Sequence, residues 1–329
     1  MTNALPFDIR TFATREDWLA DRQNGIGGSD VAAVLGLSAF MTPLELYHLK
    51  RGEISQPPRE GEWLEWGQAL EEPIARRFER ETGRKTFTPT DWIPEAADSP
   101  YVVFVDKEHP HRRVSIDRMF RDTAGTLGPL EIKNVSEWRG KEWEQTGKIP
   151  DEYLLQVTHS LGIVRMPAGS FAALIGGNRF RYDDIEHDEK LVAMVNERID
   201  EFWRRVELGD PPPVGADDKE LLRRLYPQDT GEVVQLAPDL IAVDEALVDV
   251  KAKIKELGKE KALLENQLQQ AIGAATVGML PNGNAYTFKT ITRKGYTVEP
   301  TTYRDFRRKV STNRAAGAVL PASSVSGVD

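Results

Sequence analysis

Three consecutive prolines, Pro211-Pro212-Pro213, constrain this chain more than any other feature. They come two residues after a helical pattern ending in EFWRRVEL, and no helix runs through them, because each ring fixes φ and removes a backbone donor. The residues before them must close their own core, and the residues after them are free to be an appendage. The reading is a core domain over residues 1–213, an accessory region over 214–310, and a small, polar, disordered tail over 311–329.

Helical and strand patterns alternate before the prolines. In residues 63–82, Leu64, Ala69, Leu70, Ile74 and Phe78 recur at near-helical spacing, and Gly83 offers a C-cap. Tyr101 to Val105, Arg113 to Met119 and Leu130 to Ile132 are β-rich, with Gly125 and Gly128 marking a turn before the last. Residues 151–164 read as a helix and Ser170 to Ile175 as a buried strand. That order predicts an α/β fold with a central mixed sheet flanked by helices.

The pattern changes after the prolines. Leu240, Leu247, Ile254 and Leu268 share one heptad position, with Lys261 the exception, while Val243, Val250, Leu257, Leu264 and Ala271 share another. The reading is a long amphipathic helix, weakened at Gly258, that packs on its own domain or forms a partner seam. A hairpin through Pro281-Asn282-Gly283-Asn284 is expected next, making this a helical and β-hairpin accessory region. From Tyr286 to Val310, seven basic residues stand against Glu299 and Asp305, interleaved with Tyr286, Phe288, Tyr296, Tyr303 and Phe306. Such a stretch suits stacking on DNA or a solvated face.

Taken whole, the 329-residue chain is acidic, with a net charge of -9, which argues against a passive DNA coat but not against a metal-using enzyme. It has no cysteine, so disulfides, thiolate zinc, cysteine-ligated iron–sulfur clusters and cysteine nucleophiles are excluded. No apolar run approaches roughly 18 residues and MTNALPFDIR lacks a signal-peptide core, so no membrane role and a cytoplasmic location are expected.

The segment SIDRMFRDTAGTLGPLEIKN carries the chemistry. Residues two apart on a strand face the same side, so Glu131 and Lys133 project together, and a neighbouring strand can bring Asp117 beside them. Two carboxylates and the intervening Ile132 carbonyl form an oxygen-rich site suited to Mg²⁺, and a lysine beside it can orient or help deprotonate water. Taken alone, the same spacing fits a cross-strand surface salt bridge.

Four blocks in order go further: RQNGIGGSD, WGQALEEPIARRF, SIDR with EIKNVSEWR, and PDEYLLQVTHSLG. Across about residues 15–165 the sequence resembles the YqaJ-like phage recombinases, the family that includes lambda exonuclease, within the PD-(D/E)xK nuclease superfamily. The resemblance implies a PD-(D/E)xK core and Mg²⁺-dependent 5′→3′ degradation of one strand at double-stranded DNA ends, with Mn²⁺ as a substitute. It implies a 3′ overhang for a single-strand annealing protein, phage or prophage origin in a bacterial host cell, and a ring-shaped homotrimer. Asp117, Glu131 and the Ile132 carbonyl would hold metal, Lys133 would act on water, Glu71 would hold metal or its water, and Gln156 would assist. Arg22, Ser29, Ser115 and Arg139 would hold a DNA 5′-phosphate. Ile116 replaces the superfamily's proline, and of the adjacent acids Glu71 and Glu72, the spacing from Gly67 selects Glu71. The rivals are another endonuclease or 3′-end nuclease of the superfamily, and a non-catalytic scaffold that binds DNA ends.

Several residues carry a plainer reading. Ser29 and Asp30 open the run VAAVLGL as a helix cap, which is also a phosphate seat. Arg139 also reads as a solvated arginine. His159 reads as structural or DNA-proximal, because five scattered histidines make no zinc motif. Trp63, Trp66 and Trp138 read as core before base contacts.

Overall fold

The strand that carries Glu131 and Lys133 is the middle of a five-stranded sheet in the computed structural model, which describes residues 5–55, 61–93, 96, 99–295 and 302–308. The chain divides into two units, Met1–Tyr226 and Pro227–Asp329.

The first unit begins with β1 (Phe7–Phe12), α1 (Arg15–Asp21), the one-turn α2 (Val31–Val34) and α3 (Pro43–Lys50). It continues through α4 (Glu62–Thr82), β2 (Lys85–Phe87), α5 (Pro89–Trp92), β3 (Tyr101–Asp106), β4 (Arg113–Val114), β5 (Arg118–Arg121) and β6 (Leu127–Val135). Then come α6 (Glu137–Thr146), α7 (Asp151–Val164), β7 (Ala168–Ile175), β8 (Arg179–Glu186), α8 (Glu189–Leu208) and α9 (Lys219–Leu225). The main sheet has the order β2-β5-β6-β7-β8; only β6 and β7 run parallel, so the sheet is mixed. A smaller antiparallel sheet has the order β1-β3-β4.

Side-chain alternation along β6 sets the layers. Leu130 and Ile132 pack with Ile74, Ala75 and Phe78 of α4 on one face. Val135 packs with Val157, Leu161 and Val164 of α7 on the other, where Phe171, Ala173 and Ile175 of β7 join it. Each fully buried side chain of this size contributes about 1.5–3 kcal/mol. Glu131 and Lys133, in phase with Val135, belong to the α7 face.

The stretch expected as one strand from Arg113 to Met119 is two. Arg113–Val114 pairs with β3 and Arg118–Arg121 with β6, and the chain changes sheet across Ser115, Ile116 and Asp117. That break frees Asp117 from the ladder.

The expected boundary at Pro213 also shifts, because the compact unit runs to Tyr226. Beyond the prolines, α9 returns to the core: Leu221 is buried with Leu44 and Ile54, and Thr42 Oγ1 donates to Asp218 at 2.5 Å. Gly209, in the left-handed conformation, caps α8 just before the prolines, and the compact unit continues past them.

The second unit contains α10 (Leu240–Ile272) and a hairpin of β9 (Val277–Met279) with β10 (Ala285–Thr287). Gly258 does not break α10, since one glycine costs only about 1 kcal/mol against a helix of 33 residues. The hairpin turns at Gly283, whose φ of 88 needs glycine. Tyr296, Glu299, Lys309 and the tail over 311–329 lie outside the described residues. No helix among the described residues is long and apolar enough to cross a membrane.

Candidate active site

Where β5 stops opposite Leu130, the β5-side edge of β6 loses its strand partner. Asp117, just before β5, fills the gap: Ile132 N–H donates to its Oδ2 at 2.9 Å. The N–H and C=O of one strand residue point to the same edge, so the Ile132 carbonyl lies on the Asp117 side. Glu131 is 4% exposed, and its Oε1 accepts hydrogen bonds from Lys133 Nζ and, at 2.5 Å, from Gln156 Nε2 of α7. Lys133 Nζ also lies 3.9 Å from Asp117 Oδ2.

Burial, with the Asp117 charge second, pushes the Glu131 carboxyl up to about 8. Burial works against the charge on Lys133, yet Glu131 and Asp117 hold it above the ordinary lysine range. The geometry is one buried acid, Glu131, crowded by the partly exposed Asp117 and relieved by one ammonium. A hard divalent cation suits the same donors, because it balances more negative charge than a lysine and prefers carboxylate and carbonyl oxygen.

Glu71 reaches the site from α4. Arg118 Nε donates to its Oε1 at 3.1 Å, and burial, with the Asp117 charge second, raises its pKa. Glu72 takes Arg76 Nε at 2.7 Å, a hydrogen bond that lowers its pKa, and lies 3.1 Å from Arg118. Glu71 lines the cleft and Glu72 does not.

The cleft has a volume of about 460 Å³, and its walls include Glu71, Asp117, Glu131, Ile132, Lys133 and Gln156. Arg22, Ser29 and Ser115 line it as well. Arg22 donates to Ser29 Oγ at 2.8 Å and lies over the Trp18 ring, 5.3 Å from its centroid, while Trp18 Nε1 donates to Ser115 Oγ at 3.1 Å. The loop that carries Ser29 is pinned to the turn before β4 by Ile26 N–H to His111 O at 2.7 Å and to β4 itself by Arg113 N–H to Ile26 O at 3.0 Å. Gly28 lets it press on α7, since a Cβ there would sit 3.0 Å from Gln156 Cγ. A depression of about 620 Å³ shares Arg22, Gln68, Glu71, Ser115 and Asp117, so the cleft continues past the acids.

Two expectations change. Ser29 does not head a real helix. It lies in the 3-10 turn Gly28–Asp30, which leads into a single α-turn, and the cap is the Asp30 side chain, which takes Gly27 N–H at 3.1 Å. A helix dipole is therefore a small term there, and side chains carry the positive charge. Arg139 does not line the cleft. Ser136 caps a new helix, α6, and on it Arg139 pairs with Glu152 at 3.2 Å and stacks over Phe40.

The plainer readings divide. His159 is buried, its Nε2 facing the carbonyls of Arg113 at 2.9 Å and Ile26 at 3.2 Å, so it is structural. Trp66 and Trp138 are exposed rather than core, and the Trp63 side chain lies outside the described residues. Trp18, Gln68 and Asn134 line the cleft without having been singled out. Trp18 stands one helical turn before Arg22, a spacing that signals contact.

Residues 17–169 match the YqaJ-like viral recombinase domain. The chain is 31% identical over 279 residues to the uncharacterized protein YqaJ of Bacillus subtilis, covering 83% of this chain and 82% of the relative. Among solved structures, LHK-Exo in complex with dAMP aligns with a TM-score of 0.47 at 22% identity, over 64% of this chain and 96% of that one. A second structure, the alkaline exonuclease LHK-Exo from Laribacter hongkongensis, aligns at 0.44, again 22% identical over 64% of this chain and 96% of that one. A phage related exonuclease from Haemophilus somnus aligns at 0.38, 10% identical over 56% of this chain and 94% of that one. By its curated relative and its matched domain, the chain belongs to the YqaJ-like viral recombinase family.

Proposed function

We propose that the protein is a Mg²⁺-dependent exonuclease that degrades one strand of duplex DNA from its 5′ end. The observation that carries this reading is the convergence of Asp117, Glu131 and Lys133 in one cleft with Arg22, Ser29 and Ser115. Asp117, Glu131, the Ile132 carbonyl and Glu71 would hold the metal, with Mn²⁺ a replacement of the same donor preference. When bound, the cation supplies positive charge opposite the scissile phosphate.

The remaining steps belong to the chain. Arg22, through charge-assisted bonds, and the two serine hydroxyls hold the terminal 5′-phosphate and set the next phosphodiester beside the acids. The Lys133 ammonium orients the attacking water, and Gln156 keeps Glu131 in place. Water oxygen bonds to phosphorus, the P–O3′ bond breaks, and the 3′ oxygen leaves with a proton. Each cut leaves a new 5′-phosphate on the shortened strand, which regenerates the group the pocket holds. The product is a 3′ overhang suited to a single-strand annealing protein.

Blunt duplexes labelled at either end test this. With Mg²⁺, mononucleotides should come from 5′ ends, and EDTA should stop their release. Internal nicks or release from 3′ ends would replace this reading with another nuclease polarity. Tight binding to ends without any cleavage would point to a scaffold.

A further inference from the structure

Behind the Arg22–Ser29 wall lies a buried ion pair that does not line the cleft. Lys50, the last residue of α3, is 8% exposed, and Asp30 is 7% exposed. Lys50 Nζ donates to Asp30 Oδ2 at 2.8 Å and to the Arg22 main-chain oxygen at 2.8 Å. The other oxygen of Asp30 lies 3.5 Å from the Arg22 guanidinium, which donates to Ser29 Oγ. Lys50 thus touches Arg22 twice: directly at its backbone, and through the carboxylate that competes for its charge.

The balance of charge gives this arrangement a consequence. Arg22, Asp30 and Lys50 together carry one net positive charge. Without Lys50, Asp30 and Arg22 would cancel, and a buried carboxylate with no other counter-ion would draw the guanidinium away from Ser29. A phosphate arriving at the pocket would then meet a neutral cluster.

We propose that Lys50 is a positioning residue for the anion pocket: it neutralises Asp30 from behind, so that the charge of Arg22 stays available to a DNA 5′-phosphate. The inference rests on the reading of that pocket as the phosphate seat.

The test is the ratio of initial rates on 5′-phosphorylated and 5′-hydroxyl blunt duplex, with Mg²⁺ and the full-length protein. Lys50→Met should lower the ratio about tenfold, the scale expected for one charge at this range. The double variant Lys50→Met/Asp30→Asn restores one net positive charge and orphans no buried ion, so its ratio should return to within about threefold of wild type. A purely structural role would lower both rates together and leave the ratio alone. An unchanged ratio in Lys50→Met overturns the proposal, as does a double variant no better than Lys50→Met. Should Lys50→Met fail to fold, the double variant decides against Arg22→Ala: a ratio near wild type supports the proposal, and one as low as Arg22→Ala overturns it. A wild type with no phosphate preference removes the pocket reading itself, whereas a preference that survives Lys50→Met removes only this inference.

Discussion

Gln156 Nε2 donates to Glu131 Oε1 at 2.5 Å, joining helix α7 to the most buried acid of the site. The same oxygen accepts from Lys133, so the amide fixes which way the carboxylate faces. Gln156→Ala should lower the single-turnover rate about tenfold or more while leaving duplex affinity nearly unchanged. The lost hydrogen bond is worth about 1 kcal/mol, so the melting temperature should fall by only about 2–4 °C. Single-turnover kinetics and a thermal melt check both numbers.

Glu71 and Glu72 offer a paired control. Neighbours on a helix diverge by about 100°, and only Glu71 reaches the cleft. Glu71→Gln should lower turnover about a hundredfold at saturating Mg²⁺, and Glu72→Gln should stay within about threefold. Equal losses would contradict the placement.

The sequence exposed this site unevenly, for physical reasons. Glu131 and Lys133 were legible because a strand's period of two puts them on one face whatever surrounds them. Glu71 was legible because a helix has a fixed turn. Arg139 was not, because its distance from Lys133 in sequence takes no account of Ser136, which caps a new helix and turns the arginine toward Glu152. Lys50 carried no local signal at all: its partner Asp30 is twenty residues away, and their pairing depends on how α3 folds back. Likewise Pro211 to Pro213 marked the end of α8 correctly but not the domain edge, since Leu221 returning to Leu44 is a tertiary contact.

Stability should depend on pH through His159. Burial lowers its pKa below 6.5, so the folded protein holds it neutral while the unfolded chain takes up a proton near 6.5. Its contribution is complete above that value and is lost as pH falls below it. Thermal melts between about pH 7.5 and 5.5 should show a decline on acidification that is smaller in His159→Gln. An equal decline in both proteins would assign the effect elsewhere.

Gly128 marks a close approach inside the main sheet. A Cβ there would sit 2.4 Å from the Ala168 carbonyl oxygen and 2.4 Å from the Phe120 ring. Gly128→Ala should therefore destabilise the first unit by about 1–3 kcal/mol, because one obstacle is backbone and cannot rotate away. Denaturant unfolding measures it, and a loss below about 0.5 kcal/mol would mean that β6 and β7 shift apart easily at Ala168.

The most direct measurement is Mg²⁺-dependent cleavage of a blunt, 5′-phosphorylated duplex by wild type and Asp117→Asn, with Mg²⁺ binding measured alongside by calorimetry. Asp117 both receives the Ile132 N–H and faces Glu131 across the Lys133 ammonium. A metal-holding role for Asp117 requires that Asp117→Asn folds, weakens Mg²⁺ binding, and loses about a hundredfold or more in turnover. Near-normal turnover by a folded Asp117→Asn protein would contradict it.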